Sequence, residues 1–269
     1  MYGAYSDLAC RNFYKYYKTL PCRTFEEAFN SVINKEANYA MIPVENSIAG
    51  RVADIQFLLE KTNLKIIGEH FLKIEHHLLA KSSKDKKNIK KVYSHIHALS
   101  QCKVNIKKLN LFPVSFIDTA GAAEFISNSE TNDSAIASEL SAKIYKLEII
   151  KRNLEDKKNN ITRFLVFSRN YKNISINKKV ITTITFNTKN VPAALYKALG
   201  CFAEEKINLT RLESFFVNKK FEKSSFLVDV ETHPETKNFR LVLNKLNKYS
   251  NKINILGFYE SSNFTSLIK

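Results

Sequence analysis

Apolar residues recur at helical spacing just after Thr24. Phe25, Ala28, Phe29, Val32 and Ile33 share one face of a predicted helix. It opens on Thr24-Phe25-Glu26-Glu27, where a hydroxyl and a carboxylate three residues apart can satisfy free backbone N–H groups. The run Tyr39-Ala40-Met41-Ile42-Pro43-Val44 predicts a buried strand, and Arg51 to Lys61 predicts a helix with Val52, Ile55, Leu58 and Leu59 as its core stripe. Two strand-like runs follow in LKIIGEHFLKIEHHLLA (64–80). Strand-then-helix units then appear at VYSH/HALSQCKVNIKKL, VSFID/TAGAAEFIS and SAIAS/ELSAKIYKL. This alternation predicts an α/β architecture with largely parallel strands.

The text turns polar and Asn/Lys-rich at RNYKNISINKK (169–179), which predicts a linker at 171–179 between a unit at 1–170 and another at 180–269. Beyond it the order is strand (181–187), helix (191–206), strands (208–217 and 224–232), helix (235–250) and strand (253–261). Such a βαββαβ order predicts a ferredoxin-like unit. Pro192 suits the first turn of its helix.

Composition narrows the function classes. With 269 residues, 44% hydrophobic and 25% charged, the chain reads as an ordinary soluble protein. No stretch approaches the roughly 18 apolar residues of a membrane span. MYGAYSDLACRNFYKYY has no apolar core of a secretory leader. Cys10, Cys22, Cys102 and Cys201 are widely spaced and read as reduced thiols of a cytoplasmic protein. His76 and His77 point to opposite faces if they lie on a strand, so no zinc site is expected. The net charge is +16, but residues 178–269 carry 15 Lys plus Arg against 8 Asp plus Glu, a net of +7 that leaves +9 for the rest. The charge is therefore spread, and only 8 of 42 basic residues are Arg, which argues against nucleic acid. A basic field does favour capture of a small dianion.

Polar residues cluster where predicted strands end, the position at which open α/β sheets bind ligands. Glu45-Asn46-Ser47 follows the strand ending at Val44. Ser94-His95 follows Val92-Tyr93, with Gln101 further along the next helix, and Asp118-Thr119 precedes the small Ala120-Gly121-Ala122-Ala123. Helix capping accounts for any one junction. Asn160-Ile161-Thr162-Arg163-Phe164 adds a hydroxyl and a guanidinium at the start of the strand-like ITRFLVFS. Strand alternation points Arg163 away from Thr162, which leaves an ion pair with Asp156 or Glu45 as its other reading. His95 and His97 are further candidate acids, and Phe164 reads as core.

Several segments, in order over nearly the whole chain, resemble the prephenate dehydratase family with its C-terminal ACT regulatory domain. They are GAYSDLA, IPVENSIAGRV, KIEHHLL, VYSHIHALSQC, SAIASELSAKIYKLEII, NNITRF and VPAALYKALGCFAEEKINLTRLES. The resemblance implies a two-lobed catalytic domain like a type II periplasmic binding protein, with crossovers around Ile74–Ala80 and Asn160–Ser168 and a site between the lobes. It implies conversion of prephenate to phenylpyruvate, with loss of water and carbon dioxide and without a cofactor. Thr162, Asn46, Ser94 and Gln101 are then the catalytic residues, and Arg163, Glu45, Ser47 and Thr119 bind substrate. In the ACT domain, Asn190, Ala193, Ala194, Leu195, Asn208, Leu209, Glu213 and Ser214 would bind L-phenylalanine between paired copies of a homodimer or tetramer. The family strand that precedes GAYS is not in the sequence, and the expectation is a start upstream of Met1. Ile96 and His97 replace Pro and Gln, Ala193 replaces Gly, and Phe215-Phe216 departs from the family's Arg-Pro. An arogenate dehydratase and a non-catalytic amino-acid-binding regulator are the competing readings.

Overall fold

Thr24 caps its helix as the sequence requires. Its side chain accepts from Glu27 N–H at 3.0 Å, while the Glu27 carboxylate reaches back to Arg23 N–H rather than to Thr24. The computed structural model describes residues 1–52, 55–189, 191–216 and 224–262. The first lobe holds α1 (Tyr5–Phe13), α2 (Phe25–Ile33), β1 (Ala40–Asn46), β2 (Gly50–Arg51), α3 (Ile55–Lys61) and β3 (Lys65–Lys73). Ile33 is exposed, so the apolar stripe of α2 ends at Val32. Arg51 lies in the short β2, which pairs with the end of β1, so α3 starts later than its apolar stripe predicts.

The second lobe holds β4 (His77–Ala80), β5 (Lys91–Ser94), α4 (Ile96–Gln101), α5 (Lys103–Lys108), β6 (Phe112–Ser115), α6 (Thr119–Asn128), β7 (Ser134–Ala137), α7 (Glu139–Ile144) and β8 (Glu148–Lys151). The chain then returns to the first lobe as β9 (Ile161–Ser168). Five strands run β6-β5-β7-β4-β8 in the second lobe. The expectation of largely parallel strands is corrected here. Among the described strands of this sheet only β5 pairs in parallel, with β6 and β7, while β4 is antiparallel to both its neighbours. β9 is likewise antiparallel to β1 and β3. The cause is the double crossing: a strand that enters a lobe from the other lobe runs against the strands already there.

The first crossing is shorter than expected, at residues 74–76; the second lies earlier than Asn160–Ser168, at 152–160, because Ile161–Ser168 is β9; and the two clasp each other. Ile74 N–H donates to Asn160 O and Leu154 N–H to His76 O, both at 2.7 Å. A third link spans the lobes. α1 packs on the first lobe, while Gly3 O accepts from Ser138 Oγ (2.6 Å) and Ser141 Oγ (2.8 Å) of the second. Gly3 has φ +81°, and a Cβ there would lie 2.7 Å from Ser141 Oγ, so this approach needs glycine.

The C-terminal unit comprises β10 (Val180–Thr188), α8 (Ala194–Glu204), β11 (Leu209–Phe216), β12 (Ser224–Val230), α9 (Lys237–Leu246) and β13 (Ser250–Glu260). Its strand order, β11-β12-β10-β13, is that of a ferredoxin-like sheet. Pro192 stands in a turn before α8, not in its first turn, and Ala193 at the N-cap adopts φ +61°. One sheet face packs on both helices through Phe186, Phe202, Val228 and Phe239. The other joins the first lobe: Ile181, Leu227 and Tyr259 share a core with Ile42, Ile66 and Phe167. Burying each such side chain contributes roughly 1.5–3 kcal/mol. β13 also pairs in parallel with β3 at Gly257 and Ile66, so eight strands form one sheet. A Cβ on Gly257 would lie 2.1 Å from Ile66 O.

Candidate active site

Asn46 and Thr162 face each other across the β1–β9 ladder. The Asn46 amide has a fixed orientation, because its Oδ1 accepts from the N–H groups of Ile48 (3.0 Å) and Ala49 (2.8 Å). Its Nδ2 therefore donates, to Thr162 Oγ1 at 2.9 Å and Asn160 Oδ1 at 2.7 Å, with Ile161 O at 3.3 Å. Asn160 is oriented in turn, and its Nδ2 donates to Gln101 Oε1 at 2.8 Å. The same oxygen lies 2.9 Å from His76 Nε2. A carbonyl oxygen only accepts, so Nε2 carries the proton.

Burial pushes the His76 pKa down, against a smaller upward pull from the Gln101 hydrogen bond, so the ring is neutral and Nδ1 is an acceptor. Tyr5 OH donates to it at 2.7 Å, and burial pushes its own pKa well up. The same hydroxyl donates toward Glu75 O at 2.9 Å, so its single proton is shared between the two acceptors. One hydrogen-bonded chain thus runs Thr162–Asn46–Asn160–Gln101–His76–Tyr5, built from the first lobe, both crossovers and the end of α4. Every group in it is neutral.

Two of its members keep a free donor. An amide nitrogen cannot accept, so Thr162 is the acceptor toward Asn46, and its own proton finds no acceptor among the described residues. Gln101 presents Oε1 to the network, and its amide N–H₂ likewise has no acceptor among them. The site therefore offers two donors held by neutral neighbours.

Of the four residues expected to be catalytic, Asn46, Thr162 and Gln101 converge. Ser94 does not: it is fully buried at the end of β5 and donates to Ile136 O of β7 at 2.7 Å. The expectation that Arg163 binds substrate is also corrected. Its guanidinium lies on the opposite face of β9, where it donates to Glu69 (2.9 Å), Asp229 (2.8 Å) and Tyr259 OH (2.8 Å). Burial alone would lower its pKa, but Tyr259, Asp229 and Glu69 more than reverse this and keep it charged. Glu45 sits on that face, 3.8 Å from Arg163, so it too points away from Thr162. Asp156 instead accepts from Val104 N–H and Asn105 N–H at the start of α5.

Ser47 ties the turn to the crossover, donating to Asn159 O and accepting from Ile161 N–H, both at 2.9 Å. Thr119 is half-buried in the first turn of α6, where Asp118 caps by accepting from Gly121 N–H at 2.8 Å. His95 caps α4 through a 3.4 Å bond from His97 N–H and stands outside the network. His77 turns to Asn153 N–H (3.2 Å), away from His76. Among the described residues no three His, Cys, Asp or Glu converge on a point that could hold a metal. The sequence reading passed over Tyr5, His76 and Asn160 as functional residues. Each lies inside a quoted motif (GAYS, KIEHH, NITRF), and that was the available signal.

In the C-terminal unit, Asn208 and Leu209 line a shallow recess of about 470 Å³ beside β11. Asn208 Nδ2 donates to Glu231 at 2.8 Å. Ala194 is buried and Leu195 half-buried at the start of α8. Glu213 accepts from Arg211 and from Gln56 Nε2 (2.7 Å), and Ser214 O accepts from Arg51 at 3.2 Å, so both face the first lobe. Asn190 lies outside the described residues.

The two-lobed α/β architecture and the network at the lobe crossing define a cleft protein of the periplasmic-binding-protein-like class. The family model described as prephenate dehydratase matches residues 1–172, and the chain belongs to the prephenate dehydratase family. It is 42% identical over 264 residues to the bifunctional N-acyl-homoserine lactone acylase/prephenate dehydratase of Komagataeibacter europaeus, covering 97% of this chain and 94% of that one. It is 37% identical to the prephenate dehydratase of Methanocaldococcus jannaschii, covering 96% and 94%. Its fold superposes on the solved prephenate dehydratase of Arthrobacter aurescens in complex with L-Phe, with a TM-score of 0.87, 26% identity and coverage of 96% and 87%.

Proposed function

We propose that the chain converts prephenate to phenylpyruvate, and the observation that carries this reading is the free proton on Thr162. In the reaction the bond between the ring carbon and its carboxylate breaks and carbon dioxide leaves. The electron pair enters the ring, and the C–O bond to the ring hydroxyl breaks with its pair on oxygen. That oxygen takes up one proton and departs as water, so the atoms balance as prephenate plus a proton giving phenylpyruvate, carbon dioxide and water. Aromatisation drives the step, and the protein's task is to help the oxygen leave.

Thr162, polarised by the bond it accepts from Asn46, hydrogen-bonds that oxygen as it leaves, and the proton that completes water is taken up from solvent, so the threonine hydroxyl ends as it began. A positioned donor of this kind contributes roughly 10²–10⁴-fold. Gln101 offers its free N–H₂ to a substrate carboxylate. Asn160, His76 and Tyr5 hold both donors in register. The division into a catalytic unit at 1–170, a linker at 171–179 and an ACT regulatory unit at 180–269 belongs to the same proposal, with L-phenylalanine bound between paired C-terminal units near Ala193, Asn208 and Leu209.

The printed name of the Komagataeibacter relative motivates a second reading, as an acylase. A groove of about 410 Å³ between α1, α2 and β1, lined by Tyr14, Tyr17, Leu20 and Met41, has room for an acyl chain. Two thiols line that groove: burial pushes Cys10 up to about 11 and raises Cys22 as well, so both are protonated at neutral pH and poor nucleophiles. The dehydratase reading has the better-built site.

The test is to incubate purified protein separately with prephenate, arogenate and an N-acyl-homoserine lactone, and to follow phenylpyruvate, phenylalanine and the freed acid. Phenylpyruvate formation that falls at least about tenfold in Thr162→Ala supports the reading. Unchanged turnover in that variant removes Thr162 from the mechanism.

A further inference from the structure

Thr162 and Arg163 are consecutive on β9 and so face opposite sides of the sheet. Thr162 looks into the site. Arg163 looks out of it, into a buried layer between the first lobe and the C-terminal unit. Its three nitrogens reach three strands: Nε to Glu69 of β3, Nη1 to Asp229 of β12 and Nη2 to Tyr259 of β13. Two of those strands belong to the C-terminal unit. Asp229 is fully buried, and its second oxygen accepts from Thr183 of β10 at 2.6 Å. Glu69 is anchored as well, accepting from Ser262 N–H at 2.9 Å. The guanidinium is thus a rigid fork with each tine fixed.

We infer that Arg163 is a positioning residue through which Asp229 and Tyr259 of the C-terminal unit set the placement of Thr162. The inference rests on the dehydratase reading above. A β-strand cannot shift one residue without shifting the next. A displacement of about 1 Å at a reacting group costs on the order of a hundredfold in rate.

A second cation competes for the same carboxylate. Arg211 Nη1 of β11 lies 4.0 Å from Asp229 Oδ2 and is buried without a hydrogen-bond partner among the described residues. The other guanidinium nitrogens of Arg211 bond Glu213, which also receives Gln56 of the first lobe. Movement of β11 that brings Arg211 onto Asp229 draws that carboxylate from Arg163. The path from the C-terminal unit to the site is therefore Arg211–Asp229–Arg163–Thr162, all within side chains and one peptide unit.

The test compares Asp229→Asn in two backgrounds, the unaltered chain and Thr162→Ser, which keeps a hydroxyl. The amide is isosteric, can still accept from Arg163 and can donate to Thr183, so the fold has what it needs. The expected result in the unaltered chain is a fall in kcat of about tenfold with KM within about twofold, the signature of an interaction made in the transition state. In the Thr162→Ser background the same change lowers kcat by less than about threefold, because both alter one placement. An equal fall in both backgrounds, or an unchanged kcat with a lowered melting temperature, overturns the inference and leaves the pair as structural glue. Tyr259→Phe, which deletes one bond to Arg163, is the second variant should Asp229→Asn not fold. It is expected to lower kcat about threefold with KM unchanged, and no change in kcat overturns the inference. Thr162→Ala with normal turnover defeats the dehydratase reading instead, so the two failures are distinct.

Discussion

Asn46 donates to Thr162 at 2.9 Å, and the direction of that bond follows from two backbone N–H groups on the other side of the Asn46 amide. Asn46→Asp reverses it, because a carboxylate only accepts and turns the threonine proton inward. Turnover is expected to fall at least about 100-fold in that variant. Steady-state kinetics beside a circular-dichroism melt check it, and near-normal kcat in the folded variant refutes the assignment of the donor.

Ala193 sits at φ +61°, in the left-handed region that costs an L-residue about 1–2 kcal/mol. Ala193→Gly removes that cost and weakens the unfolded-state restriction only slightly. A net gain of about 1 kcal/mol, or about 2–4 °C in melting temperature, is expected. The backbone angle is a physical reason for glycine at this position. Scanning calorimetry decides, with a lowered melting temperature as the contrary result.

Gly257→Ala places a methyl group where Ile66 O and N already stand, at 2.1 and 2.5 Å from the new Cβ. Those are backbone atoms, so β13 must move from β3. Overpacking of this order costs about 1–3 kcal/mol, and more when backbone must shift. Urea unfolding is expected to lose cooperativity as the C-terminal unit separates from the first lobe, seen as non-coincident fluorescence and circular-dichroism transitions. A single unshifted transition contradicts this.

Burial holds His76 below the ordinary imidazole range, and His70, His77 and His95 shift the same way for the same first cause. In mildly acid solution the unfolded chain binds protons at these rings that the folded chain does not. Stability is therefore full above pH about 6.5 and declines as pH falls toward the folded values. The urea midpoint is expected to drop between pH 7.5 and 5.5, and His76→Gln, which keeps a donor for Gln101, is expected to shrink that drop. An identical pH slope in the variant excludes His76 from the effect.

The βαββαβ unit was legible because its strands alternate strongly and its helices keep a clean apolar stripe, as in Phe239, Val242 and Leu246 of α9. Asn46, the partner of Thr162, and Gln101 were legible through the motifs that carry them. Strand direction was not, because local periodicity does not record a chain that crosses between lobes twice. Nor was the fate of Ser94, whose hydroxyl goes to the carbonyl of a residue 42 positions away. The partners of Arg163 lie 66, 94 and 96 positions off, two of them beyond the polar stretch at 169–179. Only the alternation of β9 hinted that this arginine faced elsewhere.

The contacts of Gly3 with Ser138 and Ser141 bear on how substrate enters and product leaves. A cleft hinged on two crossovers alone could breathe freely. Here opening to admit a molecule must release two buried hydroxyls from one carbonyl. At about 1 kcal/mol net for each bond, that tilts the closed form by roughly thirtyfold. The open fraction is then set by the hydroxyls of Ser138 and Ser141 as much as by the two crossovers.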